Sequence, residues 1–201
     1  MEMETHTQRI IELARQNGML RPSDLDAIGA PRVALTRMAA NGLLRKIGRG
    51  IYHLPDIPPD EHESLLIIAK KVPQAVFCLL SALQFHQLTT QLPRRVWIAM
   101  PRGSHTPRID YPPLKMVQFN MESYTAGIET RDCGKVTIRV YSVAKTVVDC
   151  FKHRNMIGLD VALEALRDAR ASGQANMDEL WRLAKICRVA NVMRPYLESI
   201  Q

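Results

Sequence analysis

The sequence predicts an α+β protein made of two domains. Three helical patterns and two short strands fill the first 54 residues, and three prolines follow within Pro55–Pro59. The remaining chain mixes strand patterns with a series of helices at its end. Because proline-rich stretches mark loops and linkers between periodic segments, we expect an N-terminal domain of residues 1–55. A mixed α/β domain of residues 60–201, ending in helices, should follow it.

Three short helices are predicted in the first 41 residues. Apolar residues at helical spacing mark Thr5–Asn17, where a glycine follows as a stop. A second short helix starts after Arg21 and ends at Gly29. The third runs over Pro31–Asn41, and its proline can take the first helical position because no partner is needed there for an N–H.

Two short strands are predicted after the third helix. Leu43–Ile47 and Ile51–Leu54 flank the tripeptide Gly48–Gly50, and glycine supplies the positive φ that a tight hairpin turn requires. Three helices followed by a hairpin is the order found in a winged helix-turn-helix. The sequence therefore predicts that fold for the N-terminal domain.

The third helix and the hairpin carry charge of one sign. Five basic residues and no acidic residue lie between Gly29 and Leu54, and such a field attracts polyanions. Leu35, Met38 and Ala39 form the expected core-facing stripe of the helix, which leaves a polar-basic outer face. The predicted DNA contacts are Arg32, Thr36 and Arg37 at base edges, and Arg45, Lys46 and Arg49 at phosphates. The alternatives are solvated arginines on a small helical domain, or a winged helix that binds protein.

The composition fits an ordinary globular protein. The chain has 201 residues, of which 46% are hydrophobic and 23% charged, and its formal net charge is +7. The most apolar stretch, Leu65–Val72, is interrupted by two lysines and is shorter than the ~20 residues of a membrane span. Acidic residues near the start argue against a signal peptide. We therefore expect a cytoplasmic protein with no membrane contact.

The second domain is predicted to combine strands with helices. A helix capped by Asp60 opens it, and Ala75–Leu80 is either a strand or the start of a buried helix. The further strands are expected at Arg95–Met100, Leu114–Phe119, Glu129–Asp132 and Lys135–Tyr141. The further helices are expected at Ser81–His86, Val143–Lys152, Leu159–Ala171, Met177–Arg188 and Asn191–Ser199.

Five residues of the second domain are candidate functional residues. Arg94, Arg95 and Arg102 belong to a basic stretch that either contacts a nucleic-acid backbone or is a solvated loop. Asp149 is either a functional acid or the buried partner of Lys145 at i, i+4 spacing, and we favour the structural pair.

No catalytic residue, metal site or cofactor is predicted. His86 is expected to bond a backbone carbonyl at a helix end, because no nucleophile with an orienting acid lies near it. Glu129, Asp132 and Lys135 resemble the residue set of metal-dependent nucleases, but their spacing does not match a D/E-x-K pair. The four cysteines form no CxxC pair, so we expect reduced and mostly buried thiols. The chain has no Walker-type loop and no GxGxxG.

Three blocks of sequence resemble one protein family. Leu35–Tyr52 contains a helix, Gly-Leu-Leu, a basic pair, Gly-Arg-Gly and a tyrosine; it resembles the N-terminal domain of AbiEi-type antitoxins of bacterial type IV toxin–antitoxin systems. Ser81–Ala99 and Tyr141–Asp149 are similar to later blocks of that family, so the resemblance covers residues 5–170. The family often has arginine before the threonine of the last block, where this chain has Lys145, which lacks the bidentate fork of arginine.

The resemblance implies a DNA-binding autorepressor that is also an antitoxin. It implies a winged helix that binds inverted repeats in its own promoter and a second domain that counters a nucleotidyltransferase-class toxin, with or without direct contact. Two other functions stay open. One is a DNA-binding regulator with no toxin partner, whose second domain senses a ligand or mediates dimerisation. The other is a metal-dependent nuclease.

Overall fold

The computed structural model describes residues 6–56 and 62–199. It contains both helices and sheets, which confirms the α+β class. The chain divides into two compact units. The first comprises Met1–Pro73, Ile109–Pro112 and Asp132–Thr137, and the second comprises Gln74–Arg108, Pro113–Arg131 and Ile138–Gln201. The predicted helix cap at Asp60 lies outside the described residues.

The first unit contains the helices and the hairpin predicted for the start of the chain, together with one further short strand. Its elements are α1 (His6–Asn17), β1 (Met19–Leu20), a 3₁₀ helix (Pro22–Ile28), α2 (Val33–Ala40), β2 (Arg45–Gly48), β3 (Ile51–His53) and α3 (Glu63–Lys71). Strand β3 lies between β1 and β2 and is antiparallel to both.

A small apolar core holds this unit together. Ile10, Leu20, Leu25, Leu35 and Tyr52 are buried in one cluster, so α1, β1, the 3₁₀ helix, α2 and β3 each contribute to it. Each side chain of this kind contributes about 1.5–3 kcal/mol when fully buried. The core therefore fixes which face of α2 points outward.

The 3₁₀ helix takes the place of the second predicted α-helix. The Asp24 carboxylate accepts the backbone N–H of Arg21 at 2.8 Å, which satisfies one of the free donors at this end. Gly29 ends the helix with φ of 63°, a conformation that costs glycine little. The helix is seven residues long, which is long for the 3₁₀ geometry.

Strand β2 begins two residues later than the sequence predicts. The backbone N–H groups of Leu43 and Leu44 both donate to the carbonyl of Met38, at 2.9 and 3.3 Å. These bonds close the end of α2, so the two leucines belong to the helix terminus and not to the strand.

The second unit is built on a mixed sheet and a set of packed helices. Its elements are β4 (Val76–Phe77), α4 (Leu79–Phe85), β5 (Val96–Pro101), β6 (Leu114–Phe119), α5 (Met121–Thr125), β7 (Ile128–Cys133), β8 (Val136–Tyr141), α6 (Val143–Lys152), α7 (Arg154–Ile157), α8 (Leu159–Ala171), α9 (Met177–Ile186) and α10 (Ala190–Ser199). The segment Asp132–Thr137, where β7 ends and β8 begins, belongs to the first unit. The strand order is β6-β5-β4-β8-β7. Strand β4 is antiparallel to β5 and parallel to β8, and β5 is parallel to β6.

Helix α6 lies at the centre of this unit. Each residue from Val143 to Phe151 is buried, and the helix packs against α4, α8 and α9. Ser142 caps it as predicted, because the Ser142 hydroxyl accepts the backbone N–H of Lys145 at 3.2 Å. A helix that is buried all round must place any polar side chain against a specific partner.

Gly127 provides a test of how tightly α6 is packed. Its φ is +70°, and a Cβ added there would lie 2.7 Å from the Cβ of Lys145. Gly173 has φ of +69° with open space around an added Cβ. We expect Gly173→Ala to lower the free energy of unfolding by the ~1–2 kcal/mol of a left-handed alanine. Gly127→Ala should lower it by a further ~1–3 kcal/mol through overpacking.

The measurement is urea denaturation followed by circular dichroism on both variants and the parent chain. Equal losses for the two alanines would show that the contact with Lys145 does not constrain this part of the fold.

Candidate nucleic-acid interface

The outer face of α2 carries the residues predicted to read base edges. Arg32 directly precedes the helix, and Thr36 and Arg37 lie on it; all three are exposed. Leu35 and Met38 are buried on the opposite side, as the helical spacing predicts. The Thr36 hydroxyl lies 3.4 Å from that of Tyr52, which connects this face of the helix to β3.

The residues predicted to hold phosphates lie on the neighbouring hairpin. Arg45 and Lys46 are exposed on β2, where Arg45 pairs with His53 of β3. Arg49 occupies the turn, and its side chain is 83% exposed. The structure therefore brings both predicted groups to the surface of one small unit.

Two of these six residues are engaged by acids that the sequence pattern did not reveal. The Arg32 guanidinium donates two hydrogen bonds to Asp26, at 2.6 and 3.2 Å, and Arg49 lies 3.2 Å from Asp110. The hydrogen bonds from Arg32 lower the pKa of Asp26 below its usual value. Asp26 lies just before the acid-free segment, and Asp110 lies 61 positions beyond Arg49, so no local spacing predicts either contact.

The remaining basic residues of this face have no acidic partner within the described part of the chain. These residues are Arg37, Arg45 and Lys46. Exposed ion pairs such as Arg32–Asp26 contribute little to stability and are screened by salt. A polyanion can therefore displace the two carboxylates, but it meets no competitor at Arg37, Arg45 or Lys46.

The family comparison bears on this face of the first unit. Residues 8–55 match the family described as "Transcriptional regulator, AbiEi antitoxin". This confirms the resemblance over the segment that contains all six predicted DNA contacts. The AbiEi match supports a role as an antitoxin or transcriptional regulator, and proteins of that family are generally not enzymes.

The AbiEi match is accompanied by a likeness in fold. The crystal structure of the RV2827C protein from Mycobacterium tuberculosis is similar to this chain with a TM-score of 0.61 and 14% sequence identity. The likeness covers 100% of this chain and 83% of that chain. At this identity the likeness concerns the fold alone. No curated protein matches the sequence.

The basic residues predicted in the second unit are spread over its surface. Arg94 and Arg95 are exposed in the loop before β5, and Arg102 is exposed directly after that strand. Arg102 also lines a cavity of about 230 Å³ that Asp149 reaches from α6. The structure thus brings together Arg102 and Asp149, which lie far apart in sequence.

Lys145 and Asp149 form the pair that their spacing predicts. Both side chains are fully buried, and the Lys145 ammonium donates to the Asp149 carboxylate at 2.5 Å. The ammonium also lies 4.0 Å from the ring centre of Tyr141, so an aromatic face stabilises the cation. Burial raises the pKa of Asp149, and the Lys145 charge opposes that rise. The other Asp149 oxygen accepts the Cys187 thiol at 3.7 Å.

The remaining polar candidates make structural contacts. The His86 Nε2–H donates to the carbonyl of Tyr141 at 2.7 Å, as expected. Glu129 pairs with Arg131 at 2.6 Å, and Asp132 accepts a hydrogen bond from Thr137 at 2.7 Å. Among residues 6–56 and 62–199, no group of three or more His, Cys, Asp or Glu side chains is placed to hold a metal ion.

Two further expectations concern the thiols and the membrane. Cys78, Cys150 and Cys187 are buried thiols, as predicted, and Cys133 is half-buried. Burial raises the pKa of Cys187 to about 11, so this sulfur is a thiol at neutral pH.

None of the described helices combines the length and the apolar character that crossing a bilayer requires.

The buried pair can be measured by a double-mutant cycle. We expect Lys145→Met and Asp149→Leu each to lower the free energy of unfolding by about 3–5 kcal/mol, because each leaves one buried charge without its partner. The double variant should lose clearly less than the two losses added together. Lys152 lies at the exposed end of the same helix. The free energy of unfolding of Lys152→Met should therefore stay within ~0.5 kcal/mol of that of the parent chain.

Chemical denaturation of the four variants provides the cycle. Strictly additive losses would mean that the contact contributes nothing beyond the packing of the two side chains.

Proposed function

We propose that residues 1–55 form a winged helix-turn-helix that binds double-stranded DNA. In this proposal α2 enters the major groove, whose width admits an α-helix. Arg32, Thr36 and Arg37 then face base edges. Arg45, Lys46 and Arg49 hold phosphates from the hairpin, which acts as the wing.

One observation carries the proposal. All six residues are exposed in one unit, and three of the basic ones have no acidic partner in the described part of the chain. A surface of this kind binds DNA by releasing counterions from phosphates, so its affinity must fall as salt rises. The AbiEi match over residues 8–55 supports the same reading, because that family consists of transcriptional regulators.

The proposal extends to the physiological role of the chain. We infer that it binds inverted repeats in its own promoter and represses transcription there. We also infer that it is the antitoxin of a type IV system and counters a nucleotidyltransferase-class toxin in the cytoplasm. The division of labour would assign DNA binding to residues 1–55 and antitoxin activity to residues 60–201.

Arg37 is the sharpest probe of the DNA-binding face, because it is exposed on α2 and has no described acidic partner. We expect Arg37→Ala to weaken binding to DNA from upstream of the gene by about 5- to 150-fold, the range for one base contact of ~1–3 kcal/mol. Preference over a scrambled duplex should also fall. Fluorescence anisotropy at two salt concentrations measures both quantities.

Arg167→Ala is the matched control, since it removes an exposed arginine from α8 in the other unit. Unchanged affinity and preference in Arg37→Ala would refute the assignment of α2 as the recognition helix. A Lys46→Ala variant should lower affinity on both duplexes alike and flatten the salt slope by about one unit, because it contacts only phosphate in this proposal.

The antitoxin role requires a separate experiment. The chain and a nucleotidyltransferase-class toxin encoded beside its gene are expressed from two unrelated inducible promoters. We expect the chain to restore growth, and Arg37→Ala to restore it equally, because neutralisation is assigned to the second unit. The control is that the chain is soluble and folded in these cells. If growth arrest persists under that condition, the antitoxin role is refuted, and the proposal is reduced to a DNA-binding regulator.

A further inference from the structure

The second unit contains a small cavity whose lining is rich in positive charge. It measures about 230 Å³. Arg102 reaches it from the end of β5, Lys152 and His153 from the end of α6, and Arg188 from the segment after α9. Basic residues from three separate elements therefore line one cavity.

These cations make no direct contact with an acid in the described residues, although Lys152 interacts with Asp149 at longer range. In the described residues, neither Arg102, Lys152 nor Arg188 makes an ion pair or a side-chain hydrogen bond. Asp149 also lines the cavity, but its charge is already paired with Lys145. The lining is left with an excess of positive charge, which favours an anionic occupant.

The position of Arg102 is fixed by the backbone around it. Its N–H donates to the carbonyl of Phe119 on the neighbouring strand at 2.7 Å. The Gln118 amide then holds the following loop, because it donates to the carbonyl of Ser104 at 2.9 Å. The backbone at Arg102 is therefore already ordered, so ligand binding would cost less conformational entropy there.

His153 is also held in place. Its backbone N–H donates to the carbonyl of Asp149 at 2.8 Å, and its ring meets the Phe119 ring edge-on at 5.4 Å. Burial lowers the pKa of His153, and the charges of Lys145 and Lys152 lower it further. The imidazole is thus a neutral hydrogen-bonding group at pH 7 beside the three permanent cations.

Arg188 adds an independent observation. Its φ is +56°, in the left-handed region, where it follows the end of α9. Glycine is the usual residue there, because a side chain strains the backbone. The N–H of Arg188 donates to the carbonyl of Lys185 at 3.0 Å, and that of Val189 donates to the carbonyl of Ala184 at 2.9 Å. These bonds fix the backbone of Arg188 as a helix terminus, from which the residue lines the cavity.

We propose that this cavity binds a small phosphate monoester. Guanidinium groups match the geometry of phosphate oxygens and can bind them through paired hydrogen bonds. The volume of about 230 Å³ is that of about eight liquid waters at about 30 Å³ each. That is enough for a phosphoryl group with a short organic substituent, and below the ~300–1,000 Å³ of typical drug-sized pockets. This site lies in the second unit and goes beyond the proposed DNA-binding function.

A purely structural role makes a different prediction. Lys152 and Arg188 lie at the ends of α6 and α9, where cations favour the partial negative charge of a helix terminus. In that case their removal would lower stability, and no saturable anion binding would exist.

Isothermal titration calorimetry on the full chain at low salt tests the proposal. The probes are inorganic phosphate, glycerol 3-phosphate and adenosine 5′-monophosphate, with sulfate for comparison. We expect saturable binding of at least one phosphate monoester at one site per chain. Arg188→Gly should weaken it at least tenfold, the loss of one charge-assisted hydrogen bond.

The choice of glycine separates binding from folding. Glycine accepts φ of +56° without strain, so the thermal midpoint of Arg188→Gly without ligand should not fall. Arg182→Ala, an exposed arginine of α9 outside the lining, should bind the probe as the parent does. Arg37→Ala should also bind it unchanged, which keeps this test distinct from the DNA-binding test.

Three outcomes would overturn the proposal. One is the absence of saturable binding by every phosphate probe. Another is unchanged affinity in Arg188→Gly, which would assign the binding to a different surface. The third is a short oligonucleotide that binds more tightly than every phosphate probe and whose binding is abolished by Arg188→Gly. That result would show a nucleic-acid surface in place of a small-molecule site.

Discussion

A lysine and an aspartate buried together on α6 constrain how the second unit packs. Neither charge is stable in an apolar interior alone, so each must keep its partner within hydrogen-bond distance. The ammonium also needs the faces of Phe119 on β6 and Tyr141 on β8, and the carboxylate takes the thiol of Cys187 after α9. One ion pair thereby fixes α6 against two strands and a neighbouring helix. The start of the same helix packs so closely on Gly127 that a Cβ added there would lie 2.7 Å from the Cβ of Lys145.

The same pair determines the electrostatics of the cavity at the end of α6. Asp149 is the acid that reaches this lining, and Lys145 has already compensated its charge. The cations at the opening therefore share Asp149 with Lys145, whose effect on that carboxyl is larger than that of Lys152. Without Lys145, burial would drive the Asp149 carboxyl towards its neutral acid, because no other charge is paired with it in the interior. A buried structural contact and a candidate binding site are in this way coupled through one carboxylate.

The sequence predicts those features whose causes are local. Helix α8 appears at the predicted residues, Ser142 caps α6, and Leu35 and Met38 face the core, because helical periodicity and capping act over a few positions. His86 bonds a carbonyl, as a helix-terminal histidine is expected to do. Features made by contacts between distant positions could not be predicted. Asp110 reaches Arg49, and Arg102 meets Arg188 at one cavity, only because the chain folds back on itself.

The paired arginines also change how the exposed basic face should be understood. A count of charges treats the five cations of α2 and the hairpin alike, yet Asp26 holds Arg32 and Asp110 holds Arg49. Each carboxylate must be displaced before its arginine can bind a polyanion, and it then remains nearby and repels that polyanion. The net attraction comes chiefly from Arg37, Arg45 and Lys46, which meet no such competition. Among the residues that we propose at base edges, we therefore expect sequence recognition to depend on Thr36 and Arg37 more than on Arg32.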